Sequence, residues 1–359
     1  MVLTGAFAYI QWAKEATFNT DAFCTIAQKD KVAFGFEQKI SSLNFTNNKI
    51  PLSQLGDVRV KTYAYGQTQG SFSVDFVLAS PWFFELIGFN NRSSCGVGDP
   101  VTHTWSIDTT ADTLIPTSFS MEVGIENSAN DMRRRLTGAL ANSASISASI
   151  GETAKVSLDA AFANEATATG CAVLDACKVS ESICNHIPYT FAHGSLYWCI
   201  AACDPAIAEV QDVSLTISQN SEHLWGIGDS VAVGNYRRLF ELTGTFKASF
   251  TCFTELNKVF AQQNDTLCNP ACAETLVRAQ PTLRLTFWNG TGTDLGGGGI
   301  TAASGTRAII IDLTGIAIDS HAINIEPNEP IFEDIPFQAT GATITAYNGI
   351  TDANSPVAT

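Results

Sequence analysis

Charge is what this sequence has least of. Asp, Glu, Lys and Arg together supply only 15% of its 359 residues, where about a quarter is usual in a soluble domain. Ser, Thr, Ala, Gly and Asn fill the polar positions instead. That is the composition of an all-β structural protein with much of its surface in contacts. Bases are the scarcer sign: 20 Lys and Arg stand against 35 Asp and Glu, a formal charge of −15. Gripping phosphate requires clustered Lys and Arg that release counterions, so this balance argues against a nucleic-acid binder. It is compatible with an acidic wall past which a polyanion slides, and equally with charge that only keeps the protein soluble.

Long apolar runs are missing too. Residues 308–311 form a typical one, far short of the roughly 20 residues of a spanning helix, so no membrane partner is expected. The start, MVLTGAFAY, lacks the basic residues and small-residue cleavage site of a secretory signal, which sets the expectation of assembly in the cytoplasm. Catalytic signatures are unconvincing as well: no convincing candidate stands out for a serine in a G-x-S-x-G elbow, a reactive cysteine beside a histidine, or paired carboxylates at a helix or strand end. The glycine run at 296–299 carries no lysine and opens no helix, so it is no phosphate loop. Glu326, Glu329 and Glu333 fall in the Pro-rich stretch NIEPNEPIFEDIP, which reads as a solvated loop. The expectation is a protein that is not an enzyme and has no cofactor.

Cysteine, by contrast, is plentiful. Eight of the ten fall between Cys171 and Cys272. Disulfides are the leading reading, and Cys171 with Cys177, Cys199 with Cys203, and Cys268 with Cys272 are close enough to bridge locally, although spacing does not fix connectivity. The cluster Cys184, His186, His193, Cys199 and Cys203 has zinc-like ligand types but no C-x-x-C knuckle. No metal site is assigned. Sequons at Asn44, Asn91, Asn264 and Asn289 mark possible acceptors only.

Strand signals dominate the chain. Period-2 alternation runs through FSMEVGI, SISASI, VSLTI, FKASF and LRLTF, burying one face and leaving the other polar. Two helix candidates stand out, PWFFELIGF from Pro81 and CFTELNKVF over 252–260. Each follows a glycine-bearing strand, GSFSVDF from Gly70 and GTFKASF from Gly244. The chain repeats itself in other places as well. Gly70, Phe72 and Phe76 recur as Gly244, Phe246 and Phe250, an offset of 174 (244 − 70). SLNFTNN from Ser42 recurs as SLTISQN from Ser214, offset 172 (214 − 42), and LTGALANSASI from Leu136 as LTGIAIDSHAI from Leu313, offset 177 (313 − 136). Common order with small drift is what loop insertions in a duplicated domain produce. The division expected is residues 1–166, a first domain with an amino-terminal arm; 167–208, a Cys-rich linker or elaboration; and 209–359, a second domain.

The one dense basic run is Arg133, Arg134 and Arg135, two on one strand face and one on the other. Two readings compete, an inter-subunit ion-pair row and a solvated strand end.

Four stretches carry a family resemblance: AYIQWAKEATFNT from Ala8; FTNNKIPLSQLGDVRVKTYAYGQTQGSFSVDF; PWFFELIGF; and MRRRLTGALANSASISASIGETAKVSLDAAF. In pattern and order the chain resembles the tail tube proteins of long-tailed phages and archaeal tailed viruses. The resemblance implies a mostly β protein of two tandem tube-type β-sandwich domains, each with a flanking helix, whose strands join those of neighbouring subunits into a β-barrel ring. It implies a structural virion protein of the tail, put together in the host cytoplasm, whose rings stack into a conduit for viral DNA. The partners expected are further copies of the chain, other tail proteins at the tube ends, and DNA passing without specific binding. With two domains per chain, three chains replace the six of a single-domain ring, and a trimer with pseudo-six-fold symmetry is preferred to a hexamer. The amino-terminal arm and the hairpin at 47–66 would reach the next ring. Alternative readings are the inner tube of a contractile injection system and a disulfide-stapled cell-surface β-sandwich.

Overall fold

A computed structural model describes residues 8–24, 32–55, 59–95, 100–107, 115–125, 132–167, 188–199, 203–206, 210–249, 282–289, 306–318, 322–324 and 332–348. The protein is mostly β. Its first half contains β1 (Ala8–Lys14), β2 (Phe36–Ser53), β3 (Val60–Val77), β4 (Asn91–Cys95), β5 (Val101–Ser106), β6 (Phe119–Ile125), β7 (Met132–Ser149), β8 (Lys155–Phe162) and β9 (Asn164–Thr167). Next come β10 (Gly194–Cys199), β11 (Cys203–Ala206), β12 (Val210–Ser218), β13 (Ser221–Leu224), β14 (Gly234–Arg237) and β15 (Glu241–Ser249). The last are β16 (Thr282–Asn289), β17 (Arg307–Thr314), β18 (Ala317–Ile318), β19 (Ala322–Asn324), β20 (Phe332–Ala339) and β21 (Gly341–Asn348). Part of the stretch read as linker, Gly194–Cys199, is thus a strand.

A large sheet runs β18-β20-β15-β12-β7-β8-β3-β2, with β19 also on β20, and β1, β6 and β9 attached through the first half of β7. A second sheet of seven strands runs β11-β10-β16-β17-β21-β5-β4. The alternation seen in the sequence builds the core directly: Phe72, Val74 and Phe76, Val156, Leu158 and Phe162, and Val213, Leu215 and Ile217 all point to the buried side. They pack on Trp12, Phe119, Met121 and Leu136 from the first half and on Leu285, Ile309, Ile311 and Ile344 from the second.

The segment after Pro81 is a six-residue 3₁₀ helix, Trp82–Ile87, with every residue buried. The helix read from Pro81 is thus a short one; five of the six residues of WFFELI are apolar, and a segment so nearly apolar all round is one that packs into a core. Its Glu85 is held by the Trp105 indole N–H at 3.1 Å and by Arg92 at 3.6 Å, while burial raises its pKa. Gly88 ends the helix at φ 97, a left-handed position that suits glycine. The other helix candidate, 252–260, lies outside the described residues.

Several local geometries recur at fixed spacing. In β7·β8, Ser145, Ile146 and Ser147 face Ser157, Val156 and Lys155; in β19·β20, Ala322, Ile323 and Asn324 face Asp334, Glu333 and Phe332. Every partner stands 177 residues on (322 − 145, 334 − 157). At the same spacing Gly138 has φ 61 and Gly315 φ 64. So do two hydrogen bonds, Ala163 N–H to Thr137 O and Thr340 N–H to Thr314 O, both 3.0 Å. In β2·β3, Leu43 faces Phe72 and Phe45 faces Gly70; in β12·β15, Leu215 faces Gly244 and Ile217 faces Leu242, a spacing of 172 (215 − 43, 244 − 72). The ladder therefore aligns Gly244 with Phe72, two residues from the 174 offset of the sequence match. Two residues is one pleat, so each side chain keeps its face.

Gly138 is where β7 turns from the first-half strands into the large sheet. An added Cβ would lie 2.8 Å from the Cβ of Ala163, and the left-handed backbone adds about 1–2 kcal/mol of its own. Gly138→Ala is expected to lower unfolding stability by more than about 2 kcal/mol, read in a urea titration. A loss within 0.5 kcal/mol, the roughly neutral range of surface changes, would show that the bend relaxes freely.

Candidate functional site

One buried row of side chains ties four strands together, and the large sheet leaves a broad polar face open. The row crosses four strands in register: Gln11 on β1, Glu122 on β6, Arg135 on β7 and Ala166 on β9. Glu122 accepts from Tyr9 Oη at 2.8 Å, Gln11 Nε2 at 2.9 Å and Arg135 Nε at 2.6 Å. Arg135 also donates to Asp21 at 2.8 Å, and its guanidinium lies over the Phe23 ring. Burial alone would depress the Arg135 pKa, but the two carboxylates together hold it above the ordinary value. A second row sits 177 residues on for β7 and β9: Tyr197, Arg284, Asp312 and Thr343 on β10, β16, β17 and β21. Here the signs are exchanged, with Arg284 donating to Asp312 at 2.5 and 3.2 Å.

The open face of the large sheet is built from small hydroxyls. One row reads Asp75, Ser157, Ser145, Thr216, Thr243 and Gln338 across β3, β8, β7, β12, β15 and β20. The neighbouring row reads Ser73, Asp159, Ser143, Ser218 and Glu241. Carboxylates at Asp75, Asp159, Asp212, Glu241 and Asp334 outnumber the lysines of this face, Lys39, Lys155 and Lys247, so the face is net negative. Several of those carboxylates are fixed by cross-strand hydroxyls. Asp75 accepts from Ser41 and from Ser157 at 2.7 Å, and Asp212 from Ser149 at 3.0 Å. The Ser41 bond foremost, with Ser157 and Lys39, holds the Asp75 pKa below the ordinary value.

The two ends of that sheet differ in length and in state. At one end β2 and β3 form a hairpin of two 18-residue strands carrying exposed Ile50, Leu52, Leu55, Val60 and Tyr63. At the other, β18 and β19 cover only a few residues of β20. Among the described residues neither end has a strand on its outer side. Between them lies an internal junction, where β12 of the second half pairs β7 of the first from Asp212↔Ser149 to Ser218↔Ser143. Gln219 and His223 extend it, the first by its N–H to Asn142 O at 2.7 Å, the second by Nε2 to Gly138 O at 2.9 Å. Burial lowers the His223 pKa, so the ring is a neutral donor to that carbonyl. A groove of roughly 560 Å³ beside it is lined by Gln69, Asn142, Asn220, Glu222 and Arg238 as well as His223. In the second sheet the halves meet again, β5 on β21.

The residues singled out in the sequence fall as follows. Arg134 pairs with Glu165 within the chain at 2.5 and 2.9 Å, and Arg135 belongs to the buried row; Arg133 faces Gly124 near the start of β7. Cys199 and Cys203 stand directly opposite each other on β10 and β11. Cys171, Cys177, Cys268 and Cys272 lie outside the described residues, as do Cys184 and His186. His193 Nδ1 accepts the Thr190 N–H at 3.1 Å and caps a short 3₁₀ turn. Glu333, read as part of a loop, is instead a buried residue of β20. The charge-exchanged rows escaped the sequence reading, because an alignment of identities sees Glu122 against Arg284 as a mismatch.

A hydroxyl-rich sheet face and, among the described residues, two open strand edges suit a structural β-protein. The family model for phage tail tube proteins matches residues 5–339, and the chain belongs to that family. It is a structural component of the virion tail, the tube protein, and such proteins self-assemble and contact other tail proteins. The injection-system and cell-surface readings are not favoured. No curated protein matches the chain. Among the described residues no helix is long and apolar enough to cross a membrane.

Proposed function

We propose that the chain carries two tandem tube domains and that three chains close into a ring with pseudo-six-fold symmetry, its open hydroxyl face lining the channel for viral DNA. The observation that carries this reading is the internal β7·β12 junction, in which the trailing edge of one half already pairs with the leading edge of the other. Recurrent registers, the paired left-handed glycines and the charge-exchanged rows support the duplication. On this reading Gly194–Cys199 belongs to the second domain, as the counterpart of β1.

Size favours three chains over six. Each chain places eight strands on the sheet path, so three give about 24. At about 4.8 Å spacing and a tilt near 40°, about 24 strands close at a backbone diameter of roughly 50 Å, and about 48 strands at roughly 95 Å. The smaller ring holds one hydrated duplex with its lining; the larger would hold several. Small hydroxyls keep the bore wide, and net negative charge keeps phosphate from adhering. The β2–β3 hairpin, with its exposed apolar residues, reaches the next ring, and assembly takes place in the host cytoplasm. On this reading Cys199 and Cys203, opposed in the β10·β11 register, bridge the two strands.

Electron microscopy of the purified protein under oxidising conditions tests this. Stacked rings with a central channel and three chains per ring are expected, with a 199–203 link in the peptide mass map. A monomer at every concentration would overturn the ring, and a six-chain ring would overturn the trimer.

A further inference from the structure

Both outer edges of the large sheet have a counterpart inside the chain. Strand β2 corresponds to β12 at a spacing of 172, and β19 to the β7 segment at Ser145–Ser147 at a spacing of 177. The inner pair is joined: Ser214 faces Ser147, Leu215 faces Ile146, and Thr216 faces Ser145. Its outer counterparts each lack a strand on the far side among the described residues. Long unpaired edges are a standing hazard, and closure by strand pairing is the general remedy. A heterologous contact that repeats with rotation closes a ring.

We infer that the internal junction is the template for the contact between chains. The occupant of the β19 edge is β2 of a second copy, antiparallel, with Ser42 facing Asn324, Leu43 facing Ile323 and Asn44 facing Ala322. Shifting the internal partners by 172 and 177 residues gives these pairs directly (214 − 172 and 147 + 177 for the first). The match is chemical as well as geometric. Leu43, half-buried at the margin of the core, takes the place of Leu215, which Ile146 covers in the internal junction. Ser42 and Asn44 fall on the hydroxyl face, like Ser214 and Thr216. Leu43 is already held on the core side by its pairing with Phe72, so a slip of one residue would set unlike faces of the two sheets opposite each other and is disfavoured for that reason. The inference rests on the ring reading and adds to it a register.

Paired cysteines test it in the full chain. Ser42→Cys with Asn324→Cys, and separately Asn44→Cys with Ala322→Cys, are assembled, mildly oxidised and mapped by peptide mass, which separates the new links from those of native cysteines. Covalent dimers and trimers are expected, with links at least about tenfold more abundant than for the shifted pair Thr46→Cys with Asn324→Cys, given the narrow geometry a disulfide accepts. Rings that form but link best through the shifted pair, or not at all through either matched pair, overturn the register and leave the ring intact. A wild-type protein that forms no rings overturns both.

Discussion

Arg135→Ala is expected to lower unfolding stability by about 3–5 kcal/mol, the usual loss when one partner of a buried ion pair is removed. The side chains of Arg135 and Glu122 are only 4% and 2% exposed, so water cannot replace the missing guanidinium. Glu122 would keep the hydroxyl of Tyr9 and the amide of Gln11, two neutral donors for a full negative charge. Asp21 is closer to the surface and loses less. Urea unfolding of the unassembled protein is the measurement, and Glu122→Leu combined with Arg135→Met is the control. That pair removes both charges with roughly conserved volume, and recovers most of the loss, because replacing a whole buried pair with apolar groups is often neutral. A single-variant loss under about 1 kcal/mol, the value of an exposed pair, would show that the row is hydrated. The second row offers an internal comparison. Arg284 and Asp312 are 26% and 22% exposed, so breaking that pair costs less.

These rows also mark where the sequence stopped being readable. Strand positions were legible because one face is apolar: Phe119–Ile125 was marked residue for residue and is β6, and VSLTI lies within β12. One repeated block was legible because it contains a position where identity is constrained. Gly138 and Gly315 both adopt a left-handed backbone, so LTG persists in both. Elsewhere the constraint is on complementarity, not identity. Glu122 with Arg135 and Arg284 with Asp312 fill equivalent ladder positions with opposite signs, which no comparison of residue types detects. The same logic explains the arginine run. Three consecutive bases read as a surface feature, since Arg is seldom buried unless paired, and the acids that pair them lie 31 residues from Arg134 and 13 and 114 residues from Arg135. The site itself was legible only as a composition rich in Ser and Thr. That those hydroxyls share one face follows from strand order, which depends on pairings between residues as far apart as Leu242 and Ala339.

If the open face lines the channel as proposed, Asp159→Lys combined with Thr243→Lys is expected to make assembled tubes hold DNA that the wild type releases. Both residues are exposed on the open face. Their cross-strand neighbours are neutral: Ser73 and Ser143 beside Asp159, Thr216 and Gln338 beside Thr243. Neither change therefore sets two lysines opposite each other or touches the core. Three chains per ring would carry six new cations facing the axis, and about six phosphate contacts make affinity fall about 10³-fold between 50 and 200 mM salt. Assembled tubes incubated with short linear duplex and washed at each salt concentration give the readout. Wild-type tubes are expected to retain none at either salt concentration, the variant to retain duplex at the lower and release it at the higher. Wild-type tubes that hold DNA with the same salt dependence would show that the hydroxyl face does not line the channel. Acidification separates a charged wall from a merely small-residue one. Asp75, whose pKa is lowered by the Ser41 hydroxyl first and by Ser157 and Lys39 with it, stays ionised after an ordinary carboxylate has begun to protonate. Its contribution to stability is present above the unfolded-state value, about 3.9 for aspartate, and is lost as pH falls through the lower folded value.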